Sequence, residues 1–265
     1  MNHLKAPISK LRSICLSESY SGKSIDFDVL NLMGCFILRE AIGIDTIEFY
    51  TRAYYAGLEE NSILASPDHL TEMKFDTSQT LNSFVEERAF IDLAKQFFSG
   101  NVGMDYIRLV RKNFSNTKPV FLHQDSPYQI GSFDGYSFFV ALTSCDYNNG
   151  ALILYPGTHN YGYLGDAGEI ARVLPYDYPS IETATQPGDV LIMHSATWHE
   201  SPENLSLTDR VYLEIHIQHA DAASTRKVIF GERQTEWVNH LSVDEIFLSS
   251  RKQRLKSLYK KLNEK

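Results

Sequence analysis

Leu122-His123-Gln124-Asp125 sets an imidazole and a carboxylate two residues apart. On an extended strand, side chains at i and i+2 leave the same face, so His123 and Asp125 point together while Gln124 points away. With one distant histidine, such a pair makes the two-His-one-carboxylate set that holds Fe(II) and leaves coordination positions open for substrates. A lone His-x-Asp is short enough to occur by chance, so the third ligand decides what it means. Downstream, His159, His194, His199, His216 and His219 are the candidates.

Oxygenases with this ligand set commonly take 2-oxoglutarate as cosubstrate. Its keto-acid end chelates the metal, and its far carboxylate needs a cation, best an arginine offering a bidentate fork. Arg210 lies eleven positions after His199, room for a turn and the start of a neighbouring strand, so His199 fits that geometry best. His159 sits in the loop Pro156-Gly157-Thr158-His159 and His216 falls in mid-strand, and both read as structural. His194, near the end of the strand that opens at Asp189, competes with His199 on position alone.

These residues need strands to hold them. Tyr106 to Val110 alternates, Pro119 to Leu122 leads into His123, and Tyr136 to Thr143, Ala151 to Tyr155, Asp189 to His194 and Arg210 to Gln218 follow as short apolar runs. Asn148-Asn149-Gly150, Pro156-Gly157 and Pro187-Gly188 punctuate them with residues suited to positive φ or a fixed φ. Many short strands with such breaks predict an antiparallel barrel or jelly roll. Ahead of them the first residues read as a polar arm, Ser17 to Ser24 as a loop and Cys35 to Leu38 as a strand. One helix is expected from Asp45, as N-cap, to Gly57, and a second from about Leu81 to Phe98, ended by Gly100. Ser62 to Thr77 has no clear pattern.

The chain of 265 residues is 43% hydrophobic and 22% charged, an ordinary globular composition that argues against disorder. A net charge of −8 excludes general polyanion binding, so no nucleic acid partner is expected. Cys15, Cys35 and Cys145 are odd in number and lack Cys-x-x-Cys spacing, which suits free thiols in a reducing compartment. No apolar run is long enough for a membrane span and the N-terminus has no signal-peptide core, so a cytoplasmic protein is expected. Arg251 to Lys265 is strongly basic, with Leu255, Leu258 and Leu262 at helical spacing. That reads as an amphipathic helix with a solvated basic face, which could cover the barrel mouth or make a homodimer contact. One domain is expected: a helical flank over about 1–100, a β core over about 104–220 and a helical segment over about 240–265.

The ordered set of His123-Gln124-Asp125, Asn148-Asn149-Gly150, Pro156-Gly157-Thr158-His159, Pro187-Gly188-Asp189-Val190, His199 and Arg210 resembles the phytanoyl-CoA dioxygenase family of Fe(II)/2-oxoglutarate enzymes. The opening around Gly34 to Ala56 is similar to that family's N-terminal region as well. The resemblance implies a mainly β fold with flanking helices, a double-stranded β-helix with iron at one mouth. It implies His123, Asp125 and His199 as iron ligands and Arg210 as the clamp for the 2-oxoglutarate tail, with Ser201 and Phe139 as further cosubstrate contacts. His194 then becomes a packing or supporting residue. Many relatives carry a tryptophan where this chain has Phe138-Phe139, so an indole N–H is missing here. Asp125 is retained where halogenating relatives have a small residue, which favours hydroxylation.

The expected reaction is hydroxylation of an unactivated C–H bond of a small polar or amphipathic metabolite, consuming O2 and 2-oxoglutarate and releasing CO2 and succinate. Tyr128, Gln129, Ser132, Asp134, Tyr161, Tyr163, Asp166, Glu169, Arg172, Tyr176 and Tyr178 are the expected rim. Arg108, Arg111 and Lys118 read as solvated strand edges before any role toward an anion. No phosphate-cradling loop or CoA-sized basic groove stands out, so an acyl-CoA substrate does not follow from the family. The alternatives are another oxidative outcome on the same cofactors (desaturation, ring formation or halogenation) and a non-catalytic β-barrel binding or regulatory module. A zinc hydrolase is disfavoured because no general base sits at motif spacing.

Overall fold

The computed structural model describes residues 6–59, 72–75, 79–113, 118–126, 134–162 and 174–236. Its strands are β1 (Ser21–Gly22), β2 (Cys35–Leu38), β3 (Glu72–Phe75), β4 (Val102–Lys112), β5 (Val120–His123), β6 (Tyr136–Ala141), β7 (Ile153–Tyr155), β8 (Ile181–Glu182), β9 (Val190–His194), β10 (Trp198–Ser201), β11 (Arg210–His219) and β12 (Lys227–Phe230). A large sheet runs β1-β2-β9-β6-β11-β4-β12, with β3 also on β4, and a small sheet runs β5-β10-β7-β8. All pairings are antiparallel except β1 with β2. This is the expected double-stranded β-helix, a distorted jelly roll.

Strand alternation explains why the large sheet is buried on both faces. On β11, Val211, Leu213, Ile215 and Ile217 join an outer core with the helices, while Tyr212 joins an inner core between the sheets. Phe138 and Val140 face out and Phe139 and Ala141 face in, and Ile192 and Leu191 divide in the same way. The polar members of β11's inward set are Arg210, Glu214, His216 and Gln218, all buried. They are the material from which a site between the sheets can be built.

The helices α1 (Ile8–Ser17), α2 (Phe27–Met33), α3 (Ile44–Glu59), α4 (Gln79–Asn82) and α5 (Arg88–Ala94) flank the strands. Ile47, Tyr50 and Tyr54 of α3 pack with Leu81, Phe84 and Phe90 on the outer face of the large sheet. Phe90 meets Phe138 edge-on at 5.9 Å between centroids. No described helix is long and apolar enough to cross a membrane.

Two local expectations change. The expected polar arm is largely helix α1, because Leu11 is buried against Gly157 and Arg12 is tied to Asp177. The single helix over 81–98 is broken into α4, a 3-10 turn at Ser83–Glu86, and α5. Glu87 sits between them with extended backbone (φ −62°, ψ 130°), its carboxylate receiving the Tyr50 hydroxyl at 2.9 Å, so a tertiary contact overrides local helix preference. Asp45 lies inside the first turn of α3, where a carboxylate still favours the helix N-terminus. Gly150, Gly157 and Gly188 all have positive φ, as their turns require. The C-terminal basic segment lies outside the described residues, as does the unpatterned stretch from Ser62 to Thr77 apart from β3 at Glu72–Phe75.

Candidate functional site

His123 closes β5 and His199 lies on β10, directly opposite it in the antiparallel register. Asp125 is reached two residues past His123, as the strand leaves the sheet. Gln124 turns away and donates to the carbonyls of Gly162 and Ala196, both at 2.8 Å. The backbone N–H groups of Asp125 and Ser126 both donate to Ser195 O, at 3.0 and 2.9 Å, which fixes the exit of the chain.

The three side chains converge. Asp125 Oδ1 is 3.6 Å from His123 Nε2 and 3.7 Å from His199 Nε2, and all three residues are buried. Each histidine gives its Nδ1–H to the carbonyl two residues before it, His123 to Phe121 O at 2.7 Å and His199 to Thr197 O at 2.9 Å. A carbonyl only accepts, so both Nδ1 atoms carry the proton and both Nε2 lone pairs face Asp125. An ion such as zinc sits about 2.0–2.2 Å from nitrogen and oxygen donors, so donors 3.6–3.7 Å apart can share one. Asp125 Oδ2 is buried without a hydrogen-bond partner, which a bound cation would supply. This donor set fits a divalent metal, and it is the only such group among the described residues.

Arg210, at the head of β11, faces the same cavity from the large sheet, together with Phe139, Arg108 and Glu214, and Ser201 faces it from the small one. Its Nη1 donates to Gly150 O at 2.7 Å and to Ser201 Oγ at 3.2 Å, while Ser201 Oγ donates to Gly150 O at 2.7 Å. Burial pushes the guanidinium's pKa down, and its Nε is buried without a partner. Among the described residues it forms no ion pair, so a buried cation shares the cavity with the His-Asp-His triad and has no carboxylate partner. Asn148-Asn149-Gly150 is turn chemistry as expected, capped by Asp146, but its last carbonyl also anchors Arg210.

Arg108 departs from the reading as a solvated strand edge. It is buried, donating through Nε and Nη2 to both Glu214 oxygens at 2.7 and 2.8 Å, and Tyr106 adds its hydroxyl to the same carboxylate at 2.9 Å. Burial is the largest influence and opposes Arg108's charge, but Glu214, Tyr106 and Asp125 together outweigh it and the pKa rises. Strand alternation placed Arg108 and Glu214 on the inward faces, and only the closure of the second sheet over them shows that they line the site. Arg111 pairs with Asp209, and Lys118 is exposed.

Three other candidate histidines are occupied elsewhere. His216 lies in a buried chain, with Nδ1 2.6 Å from Asp105 and Nε2 3.0 Å from Ser195 Oγ. His194 accepts from Ala196 N–H at 3.1 Å and packs near His159, whose Nε2 is 3.0 Å from Asn31 O. Of the expected rim, Tyr178 is a framework residue, its hydroxyl donating to Pro156 O at 2.8 Å, while Tyr176 is fully exposed. Tyr128, Gln129, Ser132, Tyr163, Asp166, Glu169 and Arg172 lie outside the described residues. Cys15, Cys35 and Cys145 are free thiols.

Comparison with solved structures gives the fold a context. The chain is similar to the non-heme alpha ketoglutarate dependent epimerase SnoN from nogalamycin biosynthesis, at 15% identity and TM-score 0.64 over 74% of this chain and 82% of that one. It is similar to the alpha ketoglutarate dependent carbocyclase SnoK from the same biosynthesis, at 18% identity and TM-score 0.64 over 74% and 83%. It is also similar to EctD from S. alaskensis with bound Fe, at 18% identity and TM-score 0.62 over 78% and 79%. No curated protein matches the sequence. The sequence does match phytanoyl-CoA dioxygenase (PhyH) over residues 55–212, a span that includes His123, Asp125, His199 and Arg210, and the chain belongs to that family of Fe/2-oxoglutarate-dependent oxygenases.

Proposed function

We propose that this protein is an Fe(II)- and 2-oxoglutarate-dependent dioxygenase that hydroxylates a small polar or amphipathic molecule, with His123, Asp125 and His199 holding the iron. The observation that carries this reading is the pairing of a buried His-Asp-His set with a buried arginine lacking an anion in one cavity. SnoN has been crystallised with Fe3+, alpha ketoglutarate and nogalamycin RO; for the metal and the keto acid of that set, this cavity offers the His-Asp-His donors and Arg210. When bound, iron supplies the activation of O2 coupled to oxidative decarboxylation of 2-oxoglutarate.

The chain's own residues do the rest. Phe121 O and Thr197 O hold both imidazoles in the tautomer that presents Nε2, and Asp125 contributes negative charge that offsets a divalent ion. Arg210, oriented by Gly150 and Ser201, offers its guanidinium to the cosubstrate's far carboxylate. Phe139, Val110, Val120 and Leu152 line the cavity with apolar surface that limits water. Asp125 keeps a carboxylate where its loss would vacate a position for halide, which supports hydroxylation over halogenation. A second reading, epimerisation or ring closure on the same cofactors, is favoured by the resemblance to an epimerase and a carbocyclase.

Incubation with Fe(II), 2-oxoglutarate, O2 and a metabolite pool should yield succinate and a product heavier by one oxygen atom. Products without added oxygen would select the second reading. His199→Ala should abolish iron binding and turnover together. Failure of the unaltered protein to bind Fe(II) or 2-oxoglutarate would overturn the proposal.

A further inference from the structure

Lys112, the last residue of β4, stands directly opposite Arg210 in the register of β4 and β11. Both are fully buried, and among the described residues neither has a carboxylate partner. Their surroundings are shared. Lys112 Nζ donates to Ser201 O at 3.1 Å and to Pro202 O, while Ser201 Oγ accepts from Arg210. Gly150 lies between the two cations. Its carbonyl takes Arg210 Nη1, and a β-carbon at this position would sit 2.8 Å from Lys112 Cδ.

Two buried cations side by side without an anion are costly, because each loses hydration and repels the other. We propose that Lys112 is the second cation of the cosubstrate seat and takes up a proton when the remote carboxylate of 2-oxoglutarate docks on Arg210. The inference rests on the cosubstrate reading above and deepens it.

Three observations support it. Burial first, and the neighbouring Arg210 second, push Lys112 down to about 6, against the opposing pull of Glu203, so at neutral pH the amine is mostly uncharged. The titratable groups nearest it are Arg210 on β11 and the exposed Glu203 after β10, while Asp209 is engaged by Arg111. Hydrogen-bond counting agrees with the neutral form. A neutral amine has two N–H groups for two carbonyls, and an ammonium has a third donor for which the described residues provide no acceptor. A carboxylate on Arg210 cancels the repelling charge, which removes the second of the two causes that hold the proton off Lys112. The bound state therefore holds more protons than the free state. By linkage, 2-oxoglutarate affinity weakens as pH rises above about 6, by up to about tenfold per unit.

Anaerobic calorimetry of 2-oxoglutarate binding to the Fe(II)-loaded protein tests this at pH 7.5, in two buffers of different ionisation enthalpy. The unaltered protein should take up close to one proton per site. Lys112→Met should lose that uptake and keep its Fe(II) affinity. Lys112→Arg should bind 2-oxoglutarate with no pH slope, and Lys112→Gln, which retains donors for both carbonyls, replaces the methionine variant if that one does not fold. Equal proton uptake in the unaltered protein and the Met or Gln variant, or no uptake in the unaltered protein, would overturn the proposal. Absence of any 2-oxoglutarate binding by the unaltered protein would instead remove the cosubstrate reading on which it stands.

Discussion

At the scale of single residues, Arg210 carries the sharpest functional expectation. Its charge is buried, its Nη1 is held by Gly150 and Ser201, and no described carboxylate neutralises it. Arg210→Ala should weaken 2-oxoglutarate binding by about 2–5 kcal/mol, roughly 30- to 4,000-fold, because a buried carboxylate would lose a charged hydrogen-bonding partner. Fe(II) affinity measured without cosubstrate should be unchanged, since the triad makes no contact that depends on this side chain. Equal cosubstrate affinity in the variant would reassign the arginine to a packing role. His123, Asp125, His199 and Arg210 were legible in the sequence because their spacing is set by strand geometry and by motif order. Arg108 and Glu214 were not. An arginine in a strand is equally compatible with solvent or interior, and only the second sheet, closing over that face, decides between them.

Elements decide how rigidly the ligands are held. Asp125 is not on a strand, and its backbone depends on Ser195 O. Ser195 is itself gripped by the buried chain from Asp105 on β4 through His216 on β11, so the large sheet reaches across to fix a candidate ligand that lies just past the end of β5. Gly135 makes this contact possible, since a β-carbon there would lie 2.2 Å from His216 Nε2. Ser195→Ala removes only the hydroxyl that His216 holds. A partner bonded directly to a metal ligand is typically worth about 10-fold or more in affinity, and this hydroxyl acts one residue further out, so a weakening of Fe(II) binding below that size is expected in direct titration. A variant that melts earlier but binds Fe(II) as before would limit the chain to stability. His216 was read from sequence as structural, which its partners bear out, yet the connection to Asp125 was invisible because it joins residues far apart in the chain. β10 escaped sequence reading for a related reason. It is four residues long, its register with β5 shifts between His199 and Ser201, and its partners β5 and β7 lie far upstream in the chain.

Across the whole molecule, two cores divide the work. The outer one, between the helices and the large sheet, is mainly apolar and gives stability, whereas the space between the sheets mixes apolar packing with buried charge. That division was partly legible: Tyr106 to Val110 alternates and β6, β9 and β11 fall in short apolar runs, which announced buried strands but not which face meets the other sheet. Placing charge in the inner layer has a consequence for folding. Lys112 is pushed from its ordinary value of 10.5 to about 6 in the native state, while in the unfolded chain it regains the ordinary value. Between those two pH values the unfolded chain binds the extra proton, so Lys112 makes native stability rise with pH over that window. Below about 6 both states are protonated, the dependence vanishes, and the burial cost is felt in full. Urea unfolding of the unaltered protein and of Lys112→Met at several pH values should show the unaltered protein gaining stability on the variant from pH 6 to 9. Parallel curves would mean that Lys112 keeps an ordinary proton affinity. Saturating 2-oxoglutarate and Fe(II) should flatten the gain, because a site whose lysine is already protonated in the native state no longer differs from the unfolded chain. The same lysine thus ties the stability of the fold to the occupancy of its cavity.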